Sequence, residues 1–316
     1  MALSRPRTLV LRALGLGDFL TGVPALRAVR RARPDHLLVL AAPAALEPLV
    51  RLSGVADELL DTRGLDALPW EGPPAGLAVN LHGAGPESHR LLRATGAEEL
   101  VAFACPAAGH AGPAWSADEH EVVRWCRLVA DSLDVVAEPD DLALDVPPPT
   151  VAAGAVVIHP GAAYGARRWP PERYAQVARR LAEQGHDVVV SGGPGEEALA
   201  ADVVDRAGLP DSAVLAGPEL PLDALAALVA HARLVVCGDT GVAHLASAYA
   251  TPSVLLFGPT SPARWGPPAR GPHTVLWHGD GSGDPWAPTC DPALLRIGVV
   301  EVLAAVQQQV EGSVRA

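Results

Sequence analysis

Gly238-Asp239-Thr240-Gly241-Val242-Ala243-His244-Leu245-Ala246-Ser247-Ala248-Tyr249-Ala250-Thr251-Pro252 is the stretch that decides the fold class. The apolar run at 233–237 reads as a buried strand, and the polar turn after it opens a helix. Strand, turn and helix in that order are the repeating unit of a parallel α/β sheet. Thr240 and Gly241 fall where the first unpaired helical N–H groups point outward, so this turn forms an anion site at the positive end of the helix dipole. Asp239, beside it, is ill suited to touch a phosphate. It either orients a ribose or sugar hydroxyl or caps the helix.

The same unit occurs upstream. Residues 155–159 are an apolar strand ending in His159, followed by Pro160, Gly161 and a loop carrying Arg167 and Arg168; Pro170, Pro171 and Glu172 then start a helix. Open α/β sheets bind ligands at such strand ends, although a solvated basic loop reads the same way. Strands are further expected at 8–13, 36–41, 77–81, 187–191, 213–216, 234–237 and 253–257. Helices are expected at 22–33, 43–53, 87–95, 119–133 and 299–310. Residues 138–154 carry Pro139, Pro147, Pro148 and Pro149 and break the alternation, as an interdomain linker would. The pattern predicts two α/β domains, residues 1–145 and 146–290, followed by a terminal segment at 291–316.

At 316 residues the chain is long enough for two domains of about 150 residues each. The formal charge of −12 argues against a nucleic-acid partner, so an anionic ligand must be held by helix N-termini and selected arginines. All 24 basic side chains are arginine, which excludes a lysine-bearing phosphate loop or a Schiff-base lysine. Cys105, Cys126, Cys237 and Cys290 are scattered and read as free thiols in a reducing compartment. Arg12 and Asp18 interrupt the apolar run at 8–20, so no secretory leader is expected, and Pro252, Gly258 and Pro259 break the uncharged stretch at 240–263, so no membrane span is expected. The expected location is the cytoplasm.

Several motifs have two readings. Gly15-Leu16-Gly17-Asp18 has two glycines of a dinucleotide fingerprint but Leu20 where the third is needed, which disfavours a hydride-transferring enzyme. These glycines would let a backbone approach a ligand, and Asp18 either faces that ligand or caps the next helix. No Asp-x-Asp pair occurs, so no metal site is expected and the charge of a diphosphate falls to arginine and backbone N–H groups. His244 lies one helical turn after Thr240 and either packs or contacts a ligand. The turn at 192–196, ending in Glu196, either meets a nucleotide or merely starts a helix. His82 and Ser88 follow the strand at 77–81 and are candidate acceptor contacts. So are His120 and Arg124, whose alternative is a solvated helix face.

Together, Leu14-Gly15-Leu16-Gly17-Asp18 with Pro24-Ala25-Leu26-Arg27, His159-Pro160-Gly161 through Arg167-Arg168-Trp169-Pro170, and Gly238-Asp239-Thr240-Gly241 through His244 to Phe257-Gly258-Pro259-Thr260 resemble the glycosyltransferase family 9 pattern, the family of the ADP-heptose:lipopolysaccharide heptosyltransferases. The resemblance implies a GT-B fold, two doubly wound Rossmann-like domains facing across a cleft. The first would take the acceptor and the second the donor, and the terminal helix would pack back on the first. It implies an inverting, metal-independent transferase with no cofactor, whose substrates are a nucleotide sugar such as ADP-heptose and a glycan, lipid-linked or small-molecule acceptor, in possible peripheral contact with a membrane. Asp18 matches the family's general base. Arg167 stands where the family commonly has lysine and would stabilise the leaving diphosphate. Gly17, His159, Gly161, Asp239, Thr240, Gly241, His244, Pro259 and Thr260 would line the donor site. A nucleotide-sugar epimerase of the same architecture and a non-catalytic nucleotide-sugar binder are the alternatives.

Overall fold

The computed structural model describes residues 5–149 and 151–313 and divides into two compact units, Met1–Leu142 and Ala143–Ala316. The division falls inside the proline-rich stretch read as a linker. In the first unit the elements run β1 (Arg7–Leu11), α1 (Leu16–Ala32), β2 (Leu37–Ala42), α2 (Glu47–Ser53), β3 (Glu58–Asp61), β4 (Leu77–Asn80), α3 (Glu87–Ala94), β5 (Glu99–Val101) and α4 (Glu121–Leu133). The strands form one parallel sheet in the order β3-β2-β1-β4-β5. Leu9, Leu11, Val39, Ala41, Ala78 and Leu92 are buried together in its core.

Helix α1 begins six residues before the expected start at residue 22 and carries Pro24 in its interior. A proline inside a helix forfeits one hydrogen bond and costs about 3 kcal/mol. Nearly every residue from Phe19 to Val29 is buried and α1 packs along α4, so tertiary burial outweighs that cost. Gly15 occupies the N-cap position, which places Asp18 at the third helical residue and removes its reading as the N-cap.

The second unit runs β6 (Val156–His159), α5 (Pro171–Glu183), β7 (Val188–Gly192), α6 (Glu197–Ala207), β8 (Val214–Ala216), α7 (Leu222–Ala230), β9 (Leu234–Gly238), α8 (Gly241–Ala248), β10 (Ser253–Phe257), α9 (Pro262–Trp265), β11 (His273–Trp277), α10 (Pro292–Leu295) and α11 (Val299–Ser313). Its parallel sheet has the order β11-β10-β9-β6-β7-β8. Strands β6, β9 and β10 are buried throughout and apolar but for His159 and Ser253, close to the continuous apolar runs that a sheet covered on both faces requires. Three short strands, β3, β5 and β11, were not expected from sequence, and each lies at the edge of its sheet. Half-buried edge strands are fixed by the neighbour they pair with more than by their own pattern.

The terminal helix lies in the core of the second unit. Val302, Ala305 and Val306 of α11 lie in the same core cluster as Trp169, Tyr174, Val236 and Leu256, and α11 packs on α5, β9, β10 and β11. Its apolar face therefore completes the core of the second unit.

Candidate functional site

Both sheets reverse their winding once. In the second unit the reversal lies between β6 and β9, where the chain has built β6-β7-β8 in one direction and continues on the other side of β6. In the first it lies between β1 and β4. Crevices outside the C-terminal ends of such strand pairs are where open α/β sheets take ligands. The segments that follow β6 and β9 carry the Arg167 and Asp239 motifs, and those that follow β1 and β4 carry Asp18 and His82.

In the second unit, Thr240 is the N-cap of α8 with extended backbone, and its side chain makes no capping bond, so the first N–H groups of α8 receive no side-chain acceptor from it. Asp239 stands one residue before that N-cap. Its carboxylate is almost fully buried and lies 3.9 Å from Arg167 Nη1, which also reaches the Asp239 carbonyl at 3.5 Å. Arg167 Nε is buried and finds no acceptor among the described residues. The guanidinium is thus only partly satisfied by protein and stands next to the α8 N-terminus. Close approach of the two loops depends on Gly238, since a Cβ there would come within 2.9 Å of the Arg167 carbonyl.

The turn bearing Arg167 is clamped by residues that sequence did not implicate. Ala166 N–H donates to Ala287 O at 2.9 Å and Asp291 N–H donates to Ala166 O at 3.2 Å. The Trp169 indole donates to Ile297 O at 3.1 Å, and Arg173 donates to Leu295 O at 2.7 Å. The 287–297 segment thereby holds the turn in place. Nothing in its local pattern announces this, because the partners are backbone carbonyls distant in sequence.

His159 and Gly161 form a floor. His159 is 4% exposed, with Nδ1 3.1 Å from Ser191 Oγ and Nε2 3.7 Å from Glu196 Oε2. Burial pulls its pKa down against the opposing pull of the Glu196 carboxylate. A Cβ at Gly161 would collide with that carboxylate, which also accepts from Gly193 N–H at 2.9 Å. Glu196, the end of a turn that sequence left as either a nucleotide contact or a helix start, is thus fixed over both motif residues. His244 is half-buried with its ring edge-on to Trp265, 5.9 Å between centroids. Pro259 and Thr260 follow β10, and the Trp277 indole of β11 donates to Gly258 O at 3.0 Å, tying that loop to the edge strand.

In the first unit Asp18 is half-buried at the start of α1 beside Gly17, with the Gly15 N–H facing its carboxylate. Burial raises its pKa above the ordinary 3.8, the Arg12 cation lowers it, and the Glu121 carboxylate raises it; the net direction is up. His82 is half-buried with Nδ1 lacking a protein partner, and burial with the nearby Arg12 charge pushes its pKa down to about 4. Two expected acceptor contacts are otherwise occupied. Ser88 is buried and bonded to Asn80 Nδ2 at 2.9 Å. Arg124 is not on a solvated face: it is buried, paired with Glu121, and donates to Ser116 O, Ala117 O and Glu119 O, bracing the turn before α4. His120 is the half-buried N-cap residue of α4.

Residues 110–280 match the family model described as glycosyltransferase family 9 (heptosyltransferase). The chain is 34% identical over 154 residues to lipopolysaccharide heptosyltransferase 1 of Pseudomonas aeruginosa, a match covering 47% of this chain and 42% of that protein. It thus spans less than half the length of that relative. Across nearly its whole length the fold matches a glycosyl transferase of family 9 from Veillonella parvula, with a TM-score of 0.79 at 19% identity over 99% of both chains. A similar match is the E. coli ADP-heptose LPS heptosyltransferase II, with a TM-score of 0.78 at 20% identity over 97% of this chain and 99% of that one. The fold class is GT-B, as the motif resemblance implied.

Proposed function

Because the chain belongs to glycosyltransferase family 9, the heptosyltransferase family, we propose that it moves a heptose from a nucleotide-diphosphate donor, ADP-heptose, to an acceptor hydroxyl, with inversion and without a metal ion. The observation that carries this reading is the partly satisfied Arg167 guanidinium beside Asp239 and the N-terminus of α8, at the winding reversal of the second sheet. A diphosphate is the ligand that such a concentration of N–H donors and positive charge suits.

In this reading Arg167 and the N–H groups of Thr240 and Gly241 stabilise the charge that grows on the departing diphosphate. Asp239 accepts from donor hydroxyls. Asp18 takes the proton of the acceptor hydroxyl as its oxygen attacks the anomeric carbon, and its raised proton affinity suits that role. The acceptor is a glycan, lipid-linked or small, and His82 is the residue best placed beside Asp18's neighbour Arg12 to contact it. A cytoplasmic site of action fits the four free thiols, three of them buried. No described helix is long and apolar enough to cross a membrane.

Asp18→Asn tests the reading, since asparagine nearly keeps the shape and removes the basic oxygen. Transfer from ADP-heptose to a panel of heptose and glycan acceptors should fall by about 10²–10⁴-fold, with ADP binding unchanged by thermal shift. A variant that keeps more than about a tenth of the parent rate, where chemistry limits turnover, overturns the assignment of Asp18.

A further inference from the structure

The first unit contains a buried ionic network that no part of the transfer chemistry above uses. Arg12, immediately after β1, is fully buried. Its guanidinium donates to the Asp18 carbonyl, to Leu81 O, to Thr21 Oγ1 at 2.9 Å and to Glu121 Oε1 at 3.2 Å, and it lies 5.0 Å from the centre of the Trp125 ring. Glu121, the first residue of α4, is 5% exposed; its Oε1 also accepts from the Trp125 indole at 2.7 Å, and its Oε2 pairs with Arg124. Space for Arg12 is built into α1, because a Cβ on Gly22 would come within 2.8 Å of Arg12 Cδ and Nε. The arrangement thus joins the end of β1, the first turns of α1, the end of β4 and the start of α4 around a single cation.

Stability alone is a poor reason for this network. Removing two charges from water costs several kcal/mol per ion, and well-packed apolar residues of similar volume commonly serve a fold as well or better. What apolar residues could not supply is an electrostatic environment for the carboxylate six positions along the chain. We infer that Glu121 is a positioning residue for Asp18: it holds the Arg12 guanidinium against the Asp18 turn and offsets its charge there. The inference rests on Asp18 acting as the base.

Left without a counter-charge, Arg12 would favour the ionised form of Asp18 and make it a weaker base. Glu121 opposes that effect, both through Arg12 and by its own negative charge. The groups that face Asp18 are the backbone N–H groups of Gly15 and of Asp18 itself at the start of α1, Arg12 from the end of β1 and Glu121 from α4. His82, after β4, faces Arg12.

Glu121→Gln keeps an oxygen for Arg12 and for the Trp125 indole while removing the charge. The Asp18 carboxyl is followed by ¹³C NMR titration, its resonance identified by loss in Asp18→Asn, and its midpoint should move to lower pH in Glu121→Gln. The acid limb of kcat/KM should move in the same direction, with kcat reduced by less than in Asp18→Asn and KM for the donor unchanged. Should Glu121→Gln not fold with two buried arginines uncompensated, Glu121→Gln combined with Arg124→Gln removes the second cation and should show the same displacement. A midpoint that stays in place or rises in the folded variant overturns the inference, whatever the chain catalyses. Retained transfer in Asp18→Asn, by contrast, overturns the catalytic reading and leaves the NMR result standing as a statement about the fold.

Discussion

Replacing Arg167 by alanine separates a ligand-binding role from a structural one, because the two predict losses of different size in different measurements. In the protein itself Arg167 makes one long ion pair, 3.9 Å to Asp239, with the arginine side chain 23% and the aspartate side chain 7% exposed. The gross Coulomb energy at that distance is about 4 kcal/mol at an effective dielectric of about 20. Desolvation and the ordering of a long side chain reduce the net to about 1 kcal/mol or less. Arg167→Ala should therefore lower folding stability by no more than about 1 kcal/mol. Binding is a larger matter: a charge-assisted hydrogen bond to a phosphate contributes about 1.5–3 kcal/mol, which is roughly 10- to 100-fold in affinity. Calorimetric titration with ADP should show that loss together with a weaker dependence on salt. Adenosine, which has no phosphate, should bind both forms equally. Arg167→Lys should recover part of the ADP affinity, since it restores the charge without the planar fork. An ADP affinity within about threefold of the parent, with the salt dependence unchanged, would refute the reasoning and make Arg167 a brace for Asp239.

Two further outcomes are expected. Asp18 has a raised pKa in the folded chain, so its contribution to stability is complete below the ordinary value of 3.8 and is lost as pH rises through the raised value. Asp18→Asn, which does not titrate, should therefore unfold at a higher temperature than the parent at neutral pH, with the advantage shrinking toward pH 4; a variant less stable than the parent at neutral pH contradicts this. Transfer should also survive a chelator, because the sequence has no Asp-x-Asp pair and the proposed leaving-group charge is met by Arg167 and backbone N–H groups; loss on chelation with recovery by magnesium, manganese or iron would replace that chemistry.

The sequence by itself determined the architecture of both halves and the positions of the turns that follow their central strands. Runs such as 156–158 and 234–237 are apolar throughout and lead into polar turns with glycine or proline, so strand, turn and helix are legible from local chemistry. Asp239-Thr240-Gly241 was legible for the same reason: a helix N-terminus exposes its N–H groups wherever the helix happens to sit. Tertiary structure decided whatever depended on a partner remote in the chain. Edge strands β3, β5 and β11 exist because a neighbour offers a ladder, and α1 starts six residues earlier than its pattern suggested, with α4 packed along it. Ser88 read as an acceptor contact because it follows a strand end rich in polar groups, and Arg124 because it lies one helical turn from His120; in the folded chain Asn80 and Glu121 engage them in the interior. Glu196 over Gly161, residues 287–297 clamping the Arg167 turn, and Arg12 held between Asp18 and Glu121 leave no mark in local pattern. A hydrogen bond or ion pair acts over a few ångströms of space and is indifferent to sequence distance, so these contacts came into being only when the strands were brought side by side.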